Sequence, residues 1–289
     1  MVEPPELRGP TRDQVYRRRV VALIVVGVAL GVAGWAAWAA LGSRDKAAPP
    51  PTTTVAPPKV LQVLFPEGFT RAQMARRADA VSPAITARGY LLATASSPLP
   101  GQFAGDGKAR NLEGFLFPAT YDLFATDGSK PLVGKQLDAF RLNWGKVKLA
   151  YARSKNLTGY DVLIIASMIE KEVVAPEERP LVSAVIYNRL HAGMVLGIDA
   201  TLRYGLKIPP TQAITKENLA SNSPYNTRKF RGLPPTPIAN PGLASIEAAA
   251  HPAKVDYLYF VRKPDCRSHF FTASIEAFDA YTRKGLTSC

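Results

Sequence analysis

The residues most able to do chemistry in this chain are two glutamates, Glu170 and Glu172, at the end of the apolar run 162–169. Thr158 and Asp161 fit the capping-box pattern of a helix start, and a run that apolar on every side predicts a buried helix. Glu170 falls one turn after Ala166 and two after Leu163, which brings its carboxyl out at the rim of an apolar wall. Partial desolvation of that kind suits a carboxyl to general acid work near neutral pH. The same pattern also describes the solvated end of any buried helix, and periodicity does not separate Glu170 from Glu172. The remaining candidates are scattered. His191, His251 and His269 stand far apart in unlike contexts, and no pair has the helical spacing of a zinc site, so no metal and no cofactor is expected. No Gly-x-Ser-x-Gly elbow occurs.

The elements that must position these residues follow from pattern. Residues 59–65 read as a strand, Pro66, Glu67 and Gly68 turn the chain, and Thr70 opens a helix with Met74, Ala75, Ala78 and Val81 on one face, together a small βα unit. Residues 95–110 form a loop, residues 112–120 carry an apolar run broken by Pro118, and residues 132–149 are amphipathic and helical. Beyond the glutamates, Pro176, Glu177 and Glu178 make a helix start, with structural acids at the positive end, and this helix runs to about His191 with Gly193 as its stop. Asn188 and Arg189 near its end bind substrate or cap the helix, and spacing favours capping. Residues 221–242 are dense in Pro, Gly, Asn and Ser, yet Tyr225, Phe230 and Leu233 are interspersed, which favours an ordered binding loop over a disordered linker. A short helix over 245–250, a buried strand over 257–261 and a further strand from Phe270 complete an α+β class.

Residues 20–41 carry no charge, about the length a helix needs to cross a bilayer. Arg12, Arg17, Arg18 and Arg19 precede them, which keeps the N-terminus in the cytoplasm and places the rest outside the cell membrane. A cleaved signal peptide is the alternative, but signal apolar regions are shorter. Residues 47–58, rich in Pro and Thr, form an extended tether. The formal net charge is +13 over 289 residues. Residues 1–46 hold seven Lys/Arg and four acids, which leaves +10 for the outward part. Outside a membrane, and without a phosphate loop or an RNA-binding aromatic signature, that charge excludes nucleic acid and favours an anionic envelope polymer.

The ordered segments LEGFLFPATY (112–121), ASMIEKE (166–172), ERPLVSAVIYNRL (178–190), GMVLGIDATLRYG (193–205), SNSPYNT (221–227), GLPPTPIANPG (232–242) and YLYFV (257–261), followed by His269 and Phe271, resemble the YceG-like endolytic murein transglycosylases, also called MltG. The resemblance covers roughly residues 59–280. It implies a single-pass membrane lyase that cuts nascent peptidoglycan strands internally at the MurNAc-GlcNAc linkage and leaves 1,6-anhydro-MurNAc ends, with peptidoglycan synthases as possible partners. It also implies that Glu170 is the catalytic acid and base, and that Asn188, Asp199, Tyr225, Asn226, Asn240 and His269 line the substrate groove. The organisation expected is a cytoplasmic tail (1–19), a transmembrane helix (20–41), a tether (42–58), a LysM-like βα subdomain with connector (59–125) and a mixed α/β catalytic domain (126–289). An upstream repeat of the LysM-like unit is expected to be missing. Thr236, His251 and Phe278 replace a glycine, an asparagine and a histidine common in the family. Two rival readings are a non-catalytic wall-binding or division scaffold, and a hydrolytic muramidase pairing Glu170 with Asp199, which needs carboxyls about 5–9.5 Å apart. In an oxidising compartment Cys266 and Cys289 are expected to pair, closing a 22-residue loop worth about 2–4 kcal/mol.

Overall fold

The computed structural model describes residues 12–42, 59–104 and 111–285, in two units. The first is helix α1 (Arg12–Gly42), in which the stretch Val15–Leu41 is long and apolar enough to cross a membrane and has none of its residues buried. Leu23, Val25, Leu30, Trp35 and Trp38 all stand exposed. Apolar surface on every side is costly in water and is relieved in hydrocarbon, and 27 residues at about 1.5 Å each exceed the hydrocarbon thickness.

The second unit is helix-rich α+β. Strand β1 (Val60–Leu64) leads into α2 (Arg71–Val81) and α3 (Ala87–Ser96), and the chain returns as β2 (Thr120–Phe124), antiparallel to β1 with Val60 opposite Phe124 and Leu64 opposite Thr120. Alternation gives each strand one buried face: Val63 on β1 and Tyr121 and Leu123 on β2 point inward. Across the outer face Gln62 donates to Asp122 at 3.0 Å. Thr70 and Gln73 form a reciprocal capping box that starts α2 and aims Met74, Ala75 and Ala78 at the core.

Next come α4 (Ser129–Trp144) and the short α5 (Ala150–Ser154), divided at Gly145, so the helix expected over 132–149 is two pieces. Phe103, Phe115, Phe140, Trp144 and Tyr160 pack ring against ring with centroids 4.9–6.0 Å apart, which joins the 112–116 segment to α4 and to the helix that follows. That helix, α6 (Gly159–Glu172), starts at the Thr158–Asp161 capping box and is buried at every position from Tyr160 to Ile169. Around it lie α7 (Arg179–His191), α8 (Asp199–Leu206) and, after the small α9 (Lys216–Ala220), α10 (Leu243–Ala250), the helix packed most extensively on it. Pro176 opens a 3-10 turn rather than α7, which starts at Arg179 with Pro180 in its first turn.

Residues 221–242 contain no regular element, yet they are ordered. Asn226 donates to the Leu219 and Ser221 carbonyls at 2.9 and 3.0 Å, the Ile238 amide donates to Ser167 on α6 at 3.0 Å, and Tyr225 and Thr236 share a 2.8 Å hydroxyl bond. Polar side chains here do for the backbone what a ladder does in a sheet. The hairpin of β3 (Tyr259–Arg262) and β4 (His269–Thr272) ends on α11 (Ile275–Arg283). The strand expected over 257–261 starts two residues later and is half-buried, because a two-stranded ribbon has only one face to cover.

Candidate active site

Glu170 is the first residue of α6 beyond the buried stretch that is partly open to solvent. Its Oε2 accepts a hydrogen bond from the Gly242 amide at 3.0 Å. Gly242 is the N-cap of α10, and a carboxylate is favoured where a helix start presents free N–H groups and the positive end of the dipole. The turn after β1 closes over the other side. Gly68, at φ +74°, packs its α-carbon on the Glu170 stem, where a Cβ would sit 3.5 Å from Cγ. That left-handed conformation is open to glycine and strained for other residues. The Gly68 amide donates to the Asn240 carbonyl at 3.0 Å, and Lys171 Nζ donates to the Gly68 carbonyl at 3.4 Å.

The turn also delivers Glu67, whose carboxylate lies so close over the Gly242 α-carbon that any side chain at 242 would collide with it. Two carboxylates therefore meet at one glycine. Burial of part of the side chain pushes the Glu67 carboxyl up from its ordinary value, the Glu170 charge adds to the rise, and Arg179 opposes it. Arg179 is held in place by donating Nε to Ser245 Oγ at 3.2 Å.

Glu172 faces elsewhere. Desolvation pushes its carboxyl up, with the Asp199 charge adding, while Arg262, the Ala200 amide and Arg228 pull it down. Asp199 itself pairs with Arg228. Behind the turn lies Glu113, 3% exposed. Its carboxylate accepts from the Arg71 amide at 2.8 Å, from Asn240 Nδ2 at 2.9 Å and from the Tyr204 hydroxyl at 3.0 Å. Burial raises this carboxyl to about 7 against the pull of those donors.

The other expected groove residues fall into two groups. Asn240 and Tyr225 belong to one chain of contacts that reaches the Glu170 turn: the Tyr225 ring packs on Tyr204 at 5.2 Å, Tyr204 bonds Glu113, and Glu113 bonds Asn240, which also donates to the Phe69 carbonyl at 2.9 Å. Asn188, Asn226 and His269 are committed to tying segments together. Asn188 Nδ2 donates to the Val255 and Tyr257 carbonyls at 3.0 and 2.9 Å. Asn226 is fully buried on its own loop. His269, 4% exposed, meets Glu178 twice, its amide donating to Oε1 at 2.8 Å and Nδ1 lying 2.6 Å from Oε2. The expected Cys266–Cys289 pairing lies outside the described residues, since Cys289 is not among them. Among the described residues no group of three or more His, Cys, Asp or Glu is arranged to hold a metal ion.

Glu67 and Glu113 were absent from the residues singled out by pattern. Glu67 reads as part of a turn, and nothing local links it to a glutamate 103 positions on. Glu113 stood in view inside LEGFLFPATY, where an acid flanked by apolar residues is the signal that a buried carboxyl leaves.

The apolar N-terminal helix fits a single-pass membrane anchor, and the unit after it is helix-rich α+β with a carboxyl pair where its buried helix surfaces. The YceG-like family profile matches residues 46–284, and the chain belongs to that family. Similar proteins include the endolytic murein transglycosylase of Bacillus subtilis, 38% identical over 152 residues (53% of this chain, 42% of that protein), and that of Streptococcus pneumoniae R6, 32% identical over 227 residues (71% of this chain, 41% of that protein). The chain thus spans about two fifths of the length of these curated relatives. A crystal structure of a yceG-like protein from Listeria monocytogenes superposes with a TM-score of 0.67 at 30% identity, covering 79% of this chain and 77% of that one.

Proposed function

We propose that this protein is an endolytic murein transglycosylase, a lyase that cuts glycan strands of peptidoglycan inside the chain and leaves 1,6-anhydro-MurNAc ends. The observation that carries the reading is Glu170, presented at the open end of a buried helix with one carboxylate oxygen fixed on the Gly242 amide, in a chain whose curated relatives bear that activity in their names. Glu170 as acid protonates the glycosidic oxygen while the C1–O bond breaks. As base it then takes the proton of the muramoyl 6-hydroxyl while O6 bonds to C1. The nucleophile belongs to the substrate, so an enzymic nucleophile is not required. Asn188, Asp199, Tyr225, Asn226, Asn240 and His269 serve the groove, Tyr225 and Asn240 through the contacts that hold the Glu170 turn and the others by shaping its walls.

In the same reading α1 spans the cytoplasmic membrane once with its arginines inside, and the second unit works outside, where synthases are candidate partners. The β1-α2-α3-β2 order, with the two strands antiparallel, supports reading residues 59–125 as a LysM-like subdomain. The test is product analysis by mass spectrometry of purified glycan strands. The chain should release anhydro-ended fragments and Glu170→Gln none. Reducing-end products, or anhydro products unchanged in Glu170→Gln, would refute the reading.

A further inference from the structure

We propose that Glu67 is a positioning residue of the reaction, its carboxylate set over Gly242, the residue whose amide holds Glu170, so that a second negative charge stands beside the acid where the sugar turns cationic. The inference rests on the transglycosylase reading of Glu170 and adds to it a second carboxyl from a different part of the chain.

The turn needs Pro66 and Gly68 for its path, and only Gly68 has the left-handed backbone, at φ +74°. Nothing in the turn's geometry calls for an acid at 67. Among the described residues no hydrogen bond to the Glu67 carboxylate holds it as a cap or tie would. Instead it is aimed over the Gly242 α-carbon, the residue whose amide holds Glu170. Gly68 rests on the Glu170 stem and is pinned by Asn240 and Lys171. Backbone fixed on both sides thus carries the two acids to one place.

The charged groups facing Glu67 are Glu170 and Lys171 from α6 and Arg179 from the start of α7, which is bonded to Ser245 of α10. Lys171 is turned to the Gly68 carbonyl, so Arg179 is the cation that acts on Glu67. Burial raises the Glu67 carboxyl, the Glu170 charge adds to the rise and Arg179 opposes it. Proton bookkeeping stays balanced. Glu170 gives one proton to the leaving oxygen and receives one from the 6-hydroxyl, while Glu67 gains and loses none. A negative Glu67 attracts the positive charge that develops on the sugar ring as the bond breaks.

The experiment compares the full chain in detergent with Glu67→Gln, Glu67→Asp and Glu170→Gln on glycan strands across pH, with thermal unfolding as the check on folding. Glu67 is partly exposed on a turn, so the isosteric amide keeps the fold. The expected result for Glu67→Gln is a kcat about 10- to 100-fold lower with KM within about two-fold. The acid limb of its kcat/KM profile, which in the wild type reports ionisation of the Glu67 carboxyl raised by burial and by the Glu170 charge, flattens. Glu67→Asp restores most of that limb. An active wild type with a Glu67→Gln profile that superimposes on it overturns the role of Glu67 alone, as does a change confined to KM. A wild type that leaves the strands uncut overturns the transglycosylase reading and this proposal with it.

Discussion

Glu113 offers a stability test whose sign and size both follow from its surroundings. It is buried, with three donors on its two oxygens, and its carboxyl is raised from 4.5 to about 7 by burial. An acid raised in the folded state binds its proton more tightly there than in the unfolded chain. Its contribution to stability is therefore fully present below about pH 4.5, declines as pH rises, and is lost once pH passes about 7. At about 1.4 kcal/mol per pH unit, that difference amounts to about 3 kcal/mol in full and about 2–3 kcal/mol between pH 5 and pH 8. For a folded unit of this size it corresponds to about 5–10 °C in melting temperature. Glu113→Gln removes the titration and keeps the geometry, since the amide oxygen still accepts from Arg71 and Asn240 and the amide nitrogen faces the Tyr204 hydroxyl. Thermal unfolding of the full chain in detergent from pH 5 to pH 8 should give a variant whose melting temperature, relative to wild type, climbs by that amount. Other raised carboxyls, Glu67 and Glu172, are common to both proteins and cancel in the comparison. Curves that run parallel for wild type and variant would refute the account of a proton held by burial.

Two further substitutions probe the same neighbourhood. Asn240→Ala removes a fully buried side chain that accepts from the Gly114 and Leu116 amides, both at 2.9 Å, and leaves those donors unpaired. A loss of about 2–4 kcal/mol is expected in denaturant unfolding. Gly242→Ala sits at ordinary backbone angles, and only the flexible Glu67 carboxylate stands in its way. Its stability should change by less than about 1 kcal/mol, while its rate falls as in Glu67→Gln. A wild-type rate would break the link between that glycine, Glu67 and catalysis.

What was legible in the sequence was local. The helix start at Thr70, the capping box at Thr158, the buried run of α6, the stop at Gly193 and the order of residues 221–242 all depend on neighbours within a few positions, and the structure has each of them. Helix α8 has no side-chain cap to announce it, and Asp199 stands in its first turn with an arginine for partner. Strand β2 begins where the apolar run 112–120 ends, and there Tyr121 and Leu123 alternate too briefly to stand out. Pro176 imitated a helix start, yet the helix begins three residues later, and Glu178 is drawn inward by His269, 91 positions away. Contacts of that separation carry no periodic signature, and the meeting of Glu67 with Glu170 is of the same kind.

The difference between Glu170 and Glu172 shows how little of a site lies in residue type. Two positions on an α-helix are about 200° apart, so these neighbours in sequence look out from nearly opposite sides of α6. One side meets a wall of side chains, where Glu172 feels Asp199, Arg228 and Arg262 and has the Ala200 amide for a partner. The other meets backbone, namely the Gly242 amide, the Gly68 α-carbon and the start of α10. Backbone approaches a carboxylate closely only where no side chain intervenes, which is why glycines at 68 and 242 flank Glu170. The glycines leave room, and the room admits a second acid. Selecting between the two glutamates therefore required knowing what packs on each side of the helix, and that is decided by residues 66–69 and 238–242.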